Sequence, residues 1–182
     1  SSALASCMLP LVTGSDGGGS VRIPASFTGA FGFKPSFGRI SLGPRKRWGY
    51  ADTAAYGPIT KTVEDAALFM DMAAGPSPHD PNSLPHPGYS YVDRLKDPVK
   101  DKLRIGYSPD LGYAVVQSDI AEAVEEGVKV FEKLGHTVEE VKGGPPLNAN
   151  EWGKIGAFEL RSGLHHLLAD HQDEFGRSFI SS

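Results

Sequence analysis

Cysteine is almost missing from this sequence. Cys7 is the single one among 182 residues. That excludes an internal disulfide framework and any zinc site built on cysteine pairs, and it suits a reducing, cytoplasmic setting. Long apolar runs are missing too. None approaches the roughly 18 residues that a membrane-spanning helix needs, so no segment of the chain is expected to cross a membrane. Positive charge is in short supply: 18 Lys and Arg stand against 22 Asp and Glu, a formal net charge of −4. This balance offers no electrostatic footing for nucleic acid or an anionic lipid surface. The one dense basic run, Arg45-Lys46-Arg47 beside Trp48, is extended by no helix or repeat and reads as a solvated loop. Metal-ligand spacing is absent as well. His165, His166 and His171 fall on a helical stretch, but at no interval of three or four residues, the spacing that places ligands on one helix face. No metal or other cofactor is expected.

Glycine, by contrast, is abundant, with 22 residues, and it is concentrated at one place. The stretch Gly14-Ser15-Asp16-Gly17-Gly18-Gly19-Ser20-Val21-Arg22 ends three consecutive glycines on a serine. Glycine lets the backbone turn tightly and lets its N–H groups face a ligand unobstructed, and a row of such groups forms an anion site. Beside a hydroxyl, that row has the parts of an acyl-transfer centre: Ser20 as nucleophile, and the N–H groups of Gly17, Gly18, Gly19 and Ser20 aimed at the oxyanion. A flexible glycine-rich connection has the same composition. A nucleotide phosphate loop is excluded because no lysine follows the glycines. The dinucleotide fingerprint is excluded because its glycines are spaced rather than contiguous. The nucleophile elbow of the α/β-hydrolases needs a glycine two positions after the serine, where this chain has Arg22.

The residues after the loop favour chemistry over a linker. Phenylalanine recurs at 27, 31, 33 and 37 among small residues, and Phe31 and Phe33 share a face if their segment is a strand. A glycine loop held between aromatic-rich strands would be preorganised, as an oxyanion site must be. Asp16 and Arg22 flank the loop with opposite charge, either as a pair that braces it, Arg22 donating to backbone carbonyls, or as two unrelated surface charges.

From Gly14 to Ser41, and again over Gly57-Pro58-Ile59-Thr60-Lys61-Thr62-Val63-Glu64-Asp65-Ala66-Ala67, the residues resemble the amidase signature family. The resemblance implies an α/β fold, three layers α/β/α with a mixed sheet, only part of which this chain contains. It implies a serine–serine–lysine triad with no histidine. Ser20 would attack an amide carbonyl, the N–H groups of Gly17 to Ser20 would hold the oxyanion, and Asp16 and Arg22 would support the loop. A second serine would relay the proton and a neutral lysine would be the ultimate base. In the family the relay serine lies in a Gly-Ser-Ser-Gly-Gly run shortly before the nucleophile, with the lysine further upstream. Ser1, Ser2 and Ser6 are too close to Ser20 for that role, and Lys34 sits in a Gly-Phe-Lys-Pro segment that is not the catalytic position. The chain therefore reads as an internal part of an amidase acting on a small-molecule amide. Gly17 and Thr28 depart from residues often found at their positions; the first keeps its N–H, the second leaves the substrate branch open. An amidotransferase subunit of the same family usually has a Ser-Ser-Leu-Asp-like run before the Gly-Pro, where this chain reads Ala51-Asp52-Thr53-Ala54, so a free-standing amidase is preferred. A serine hydrolase with a histidine base, or a non-catalytic fragment, are the other readings.

One partial domain over 1–182 is expected, in three stretches. Residues 1–75 form the core that holds the loop, with a helix over 3–8, a strand over 11–13, and an irregular excursion over 42–56. Thr62 and Asp65 have capping-box spacing at the start of a helix to Ala74, with Val63, Ala66, Ala67, Met70 and Ala74 inward. Residues 76–101 are rich in proline and polar residues and read as a surface loop. Residues 102–182 read as strand (103–107), amphipathic helix (118–134) and strand (137–141), a parallel βαβ unit, and then a helical tail over 150–171. Ile120, Ala123, Val124, Phe131 and Leu134 are expected to face inward. A partial sheet exposes an edge, so a homo-oligomer, or association with the remainder of the domain, is expected.

Overall fold

The computed structural model describes residues 1–43, 53–97 and 101–180. In chain order the elements are α1 (Ser2–Ala5), β1 (Val12–Asp16), α2 (Arg22–Phe27), β2 (Phe31–Gly32), β3 (Ala55–Thr60), α3 (Val63–Ala73), α4 (Tyr91–Leu95), β4 (Arg104–Tyr107), α5 (Ser118–Lys133), β5 (Thr137–Glu140) and α6 (Ala149–Leu164). Short helical turns come after these, including α7 (Leu168–His171) and α8 (Arg177–Ile180). The chain is α/β, and the strands among the described residues form two small sheets. Two compact units are present: Ser1–Asp97 with Asn150–Ser182, and Pro98–Ala149.

The first unit carries an antiparallel sheet in the order β1-β3-β2. The β1 strand pairs along its whole length with β3, from Val12 opposite Ile59 to Asp16 opposite Ala55. It thus reaches three residues beyond the expected strand, its pairing with β3 continuing through Gly14 opposite Gly57 to Asp16 opposite Ala55. Gly57 has a steric reason to be glycine: a Cβ there would run into the carbonyl of Phe33. The apolar cluster under the sheet joins Leu4 of α1, Val21, Ala25 of α2 and Ile59 of β3, each at most 4% exposed, with Val12 and Ala30 packed against it. Val21 follows Ser20 directly, so the burial of one side chain, worth about 1.5–3 kcal/mol, pins the end of the glycine loop to the core.

The segment after the loop is first a helix and then, at Phe31–Gly32, the short strand β2. Residues 22–27 form α2, with Pro24 in its first turn, where a helix has no internal partner for its N–H groups and proline sacrifices nothing. Phe27 consequently points into solvent at 87% exposure. Phe31 and Phe33 do lie near one another, with ring centroids 6.5 Å apart. They line an apolar pocket of about 200 Å³ together with Met70 and Tyr91.

Helix α3 begins as its sequence requires: Thr62 Oγ1 accepts from Asp65 N at 3.1 Å. Ala66, Ala67 and Met70 are buried, whereas Val63 is 44% exposed. The proline-rich stretch beyond it is more ordered than a surface loop. Asp80, 2% exposed, accepts from Leu42 N at 2.7 Å and Asn82 N at 3.1 Å. Within the same stretch α4 is held by Asp71, which accepts from the Ser90 hydroxyl at 2.6 Å and from the backbone N–H groups of Tyr91 and Val92. The Ser90 hydroxyl is the main reason the Asp71 carboxyl lies below its ordinary pKa, against a desolvation penalty that raises it. Most of the excursion over 42–56, including the basic run and Trp48, lies outside the described residues.

The second unit contains the parallel pair β4 and β5, from Arg104 opposite Thr137 to Tyr107 opposite Glu140, joined by α5 as a βαβ crossover. The inward face expected for α5 is not buried there. Ile120, Val124, Phe131 and Leu134 are 51%, 48%, 45% and 67% exposed, because two strands give a helix too little sheet to cover its apolar stripe. No helix among the described residues is long and apolar enough to cross a membrane.

Candidate active site

The glycine loop runs from the end of β1 to the start of α2, and Asp16 organises it. Asp16 is the last residue of β1 and its side chain is fully buried. One carboxylate oxygen accepts from Gly19 N at 2.6 Å and from Arg22 Nη2 at 3.0 Å. The other accepts from Arg22 Nε at 2.9 Å, Val21 N at 3.2 Å and Arg22 N at 3.4 Å. The structure therefore brings Asp16 and Arg22 together in a two-pronged pair. Arg22 donates to the carboxylate, and not to backbone carbonyls as expected from sequence, because the rigid fork of its guanidinium matches the two oxygens.

The Arg22 guanidinium is the main cause that holds the Asp16 carboxyl far below the usual carboxylate range; burial opposes it and the three backbone N–H donors add to it. The same hydrogen bond raises the pKa of Arg22. A depressed carboxylate contributes stability that is complete above its ordinary pKa of about 3.9 and is lost as pH falls toward its folded value. The difference in urea midpoint between the wild type and an Asp16→Ala variant is accordingly expected to be constant from pH 8 to pH 5 and to shrink only in strong acid. A difference that already collapses between pH 7 and pH 5 would contradict this reading.

The nucleophile candidate lies at the crest of the turn. Ser20 is exposed, and Val21 beside it is fully buried. Behind Ser20 the helix takes over: Gly19 O accepts from Ile23 N at 2.8 Å and Val21 O from Ala25 N at 3.2 Å. Of the four N–H groups expected to face an oxyanion, that of Gly19 is directed at Asp16 instead. This is a correction with a clear cause, since the buried carboxylate needs donors and Gly19 is within its reach. Among the described residues nothing accepts from the N–H groups of Gly17, Gly18 or Ser20. They remain as the donors this geometry can offer.

Gly19 has φ of +119° and a Cβ there would approach Ile23 Cδ1 to 2.6 Å. Gly19→Ala is thus expected to cost about 1–3 kcal/mol in strain and to lower turnover with it; a chemical denaturation curve indistinguishable from wild type would show that the turn tolerates a side chain.

The loop's other neighbour carries no signal in the sequence. Trp152 of α6 donates its Nε1–H to the Gly17 carbonyl at 3.0 Å across 135 positions, and its ring lies against Gly18. Sequence pattern places Trp152 only among the apolar residues of the last helix. Lys34 donates to the carbonyl of Pro35 at 3.0 Å. Among the described residues no group of three or more His, Cys, Asp or Glu side chains could hold a metal ion.

The chain is similar to known proteins in sequence and in fold. The family model described as Amidase matches residues 1–173. An acylamidase of Rhodococcus erythropolis is 40% identical over 144 residues, 77% of this chain and 29% of that protein. A glutamyl-tRNA(Gln) amidotransferase subunit from Pseudomonas savastanoi pv. phaseolicola is 41% identical over 143 residues, 76% of this chain and 28% of that one. A bacterial aryl acylamidase of the amidase signature family superposes with a TM-score of 0.83 at 29% identity, covering 98% of this chain and 39% of its own. A 6-aminohexanoate cyclic dimer hydrolase does so with a TM-score of 0.80 at 26% identity, covering 92% and 36%. The chain thus spans under a third of the length of these curated relatives.

Proposed function

Since this chain belongs to the amidase family, we propose that it carries the nucleophile and oxyanion loop of an enzyme that cleaves a carboxamide C–N bond. Ser20 Oγ attacks the carbonyl carbon and gives up its proton. The carbonyl oxygen becomes an oxyanion held by backbone N–H groups of Gly17, Gly18 and Ser20. The C–N bond then breaks, the amine leaves with a proton, and the acyl group remains as an ester on Ser20 until water takes it. One observation carries this reading: an exposed hydroxyl at the crest of a turn whose backbone on either side of it, at Gly19 and Val21, is fixed from beneath by a buried carboxylate, so that the serine is held in place before it reacts.

The proton acceptor is a separate matter. A serine hydroxyl without a base is a weak nucleophile at neutral pH. The resemblance implies a relay serine in a Gly-Ser-Ser-Gly-Gly run and a lysine, and this sequence has no such run. These 182 residues alone are therefore expected to accelerate amide hydrolysis by at most ~10³–10⁴-fold over water. Free amidase and amidotransferase chemistry share the acyl-enzyme and differ in what accepts the acyl group. Similarity to amidotransferase subunits at 41% identity keeps the second in view, and the sequence of residues 51–54 favours the first.

Rapid quenching of the active enzyme with a slow aryl amide is expected to show one equivalent of aryl amine released in a burst, and a tryptic peptide containing Ser20 heavier by the acyl group. An acyl group found on any other residue would refute the assignment.

A further inference from the structure

We infer that Trp152 is a positioning residue of the oxyanion loop, acting through the peptide between Gly17 and Gly18. The inference rests on the reading of Ser20 and its loop as the acyl-transfer site. A peptide unit is planar, and in its trans form the carbonyl and the following N–H point in opposite directions. The Trp152 Nε1–H fixes the Gly17 carbonyl at 3.0 Å, so the Gly18 N–H of the same peptide unit is turned away from the indole.

The ring closes the opposite freedom. A Cβ on Gly18 would come within 2.6–2.7 Å of the Trp152 six-membered ring, so the indole lies flush against the glycine and blocks the peptide from rolling toward it. Gly17 and Gly18 are the loop residues that Asp16 does not hold: its carboxylate takes the N–H groups of Gly19, Val21 and Arg22. A glycine pair has the widest choice of backbone conformations of any dipeptide. Without a second anchor the Gly17–Gly18 peptide would flip freely, and a donor that must reorient during the reaction stabilises charge poorly. Trp152 supplies that anchor from α6. The two ends of the turn are thus held by different means, the carboxylate of Asp16 under one and the indole of Trp152 over the other.

The test uses the active enzyme that carries this chain, with two replacements of Trp152. Trp152→Phe keeps an aromatic ring but removes the donor. Replacement by β-(3-benzothienyl)alanine keeps the bicyclic shape and substitutes sulfur for N–H. For both, kcat is expected to fall roughly tenfold, less than the ~10²–10³-fold that accompanies outright loss of an oxyanion donor. KM is expected to stay within about twofold, since the donor acts on the transition state and not on ground-state binding. Affinity for a trifluoromethyl ketone analogue, whose oxyanion occupies the same donors, should fall in parallel with kcat/KM.

An unchanged kcat in the benzothienyl variant would overturn the inference. So would a fall in kcat matched by an equal loss of folded protein, because the role would then be structural only. Failure of the underlying reading is distinguishable: full activity in Ser20→Ala would remove the acyl-transfer site itself, whereas an inactive Ser20→Ala with a fully active benzothienyl variant would remove only the role of Trp152.

Discussion

Ser20→Ala is expected to lower the turnover of an amide by roughly 10⁴–10⁶-fold in the active enzyme, the range seen when a serine nucleophile is removed from a triad, while leaving the urea midpoint almost unchanged. The two halves of that expectation have separate physical origins. The chemical loss is large because the acyl-enzyme cannot form without the hydroxyl, and the remaining oxyanion donors only stabilise slow attack by water. The stability effect is small because Ser20 is exposed and its hydroxyl makes no hydrogen bond among the described residues; surface substitutions of this kind usually stay within about 0.5 kcal/mol. Turnover and denaturation measured on the same preparation separate the two. A variant that keeps more than a tenth of wild-type turnover would exclude Ser20 as the nucleophile.

Asp16→Ala is expected to do the reverse, damaging structure first and activity through it. The fully buried carboxylate accepts from three backbone N–H groups and both prongs of Arg22. Removing it leaves donors unsatisfied in a region closed to water, at about 1–3 kcal/mol for each that finds no substitute. A loss of roughly 2–4 kcal/mol is expected, partial rescue by water included. Arg22→Ala should cost less, about 1–2 kcal/mol, because Arg22 is 53% exposed and the carboxylate would keep its backbone donors. Asp16→Asn should fall between them, since one oxygen remains but its NH₂ group must face donors. The predicted order of urea midpoints, wild type above Arg22→Ala above Asp16→Asn above Asp16→Ala, tests whether the carboxylate or the guanidinium is the centre of the brace. Turnover should fall most in the Asp16 variants, where the freed Gly19 N–H no longer fixes the turn.

The parts of this molecule that were legible in sequence are those set by near neighbours. The α3 cap needs only Thr62 and Asp65. The parallel βαβ unit needs only two alternating runs around an amphipathic one. The loop announces itself through contiguous glycines. The Asp16–Arg22 pair was visible as opposite charges six positions apart, although the depth of Asp16 and its backbone donors were not, because burial is decided by the elements packed above. Helix α2 is hidden by Pro24, which reads as a helix breaker until it is seen to occupy the first turn. The apolar stripe of α5 is legible in its periodicity, but its burial depends on sheet area that two strands do not provide. Trp152 was illegible altogether. A contact across 135 positions leaves no periodic trace, and a tryptophan among leucines looks like packing.

The most direct measurement is a crystal structure of the active enzyme after reaction with a fluorophosphonate, which leaves a tetrahedral phosphorus where the attacked carbon would be. The account predicts phosphorus bonded to Ser20 Oγ, with its anionic oxygen about 2.7–3.1 Å from N–H groups of Gly17, Gly18 and Ser20, and Gly19 N still directed at Asp16. Phosphorus on another residue, or an oxygen turned to solvent with the glycine N–H groups pointing elsewhere, would contradict it.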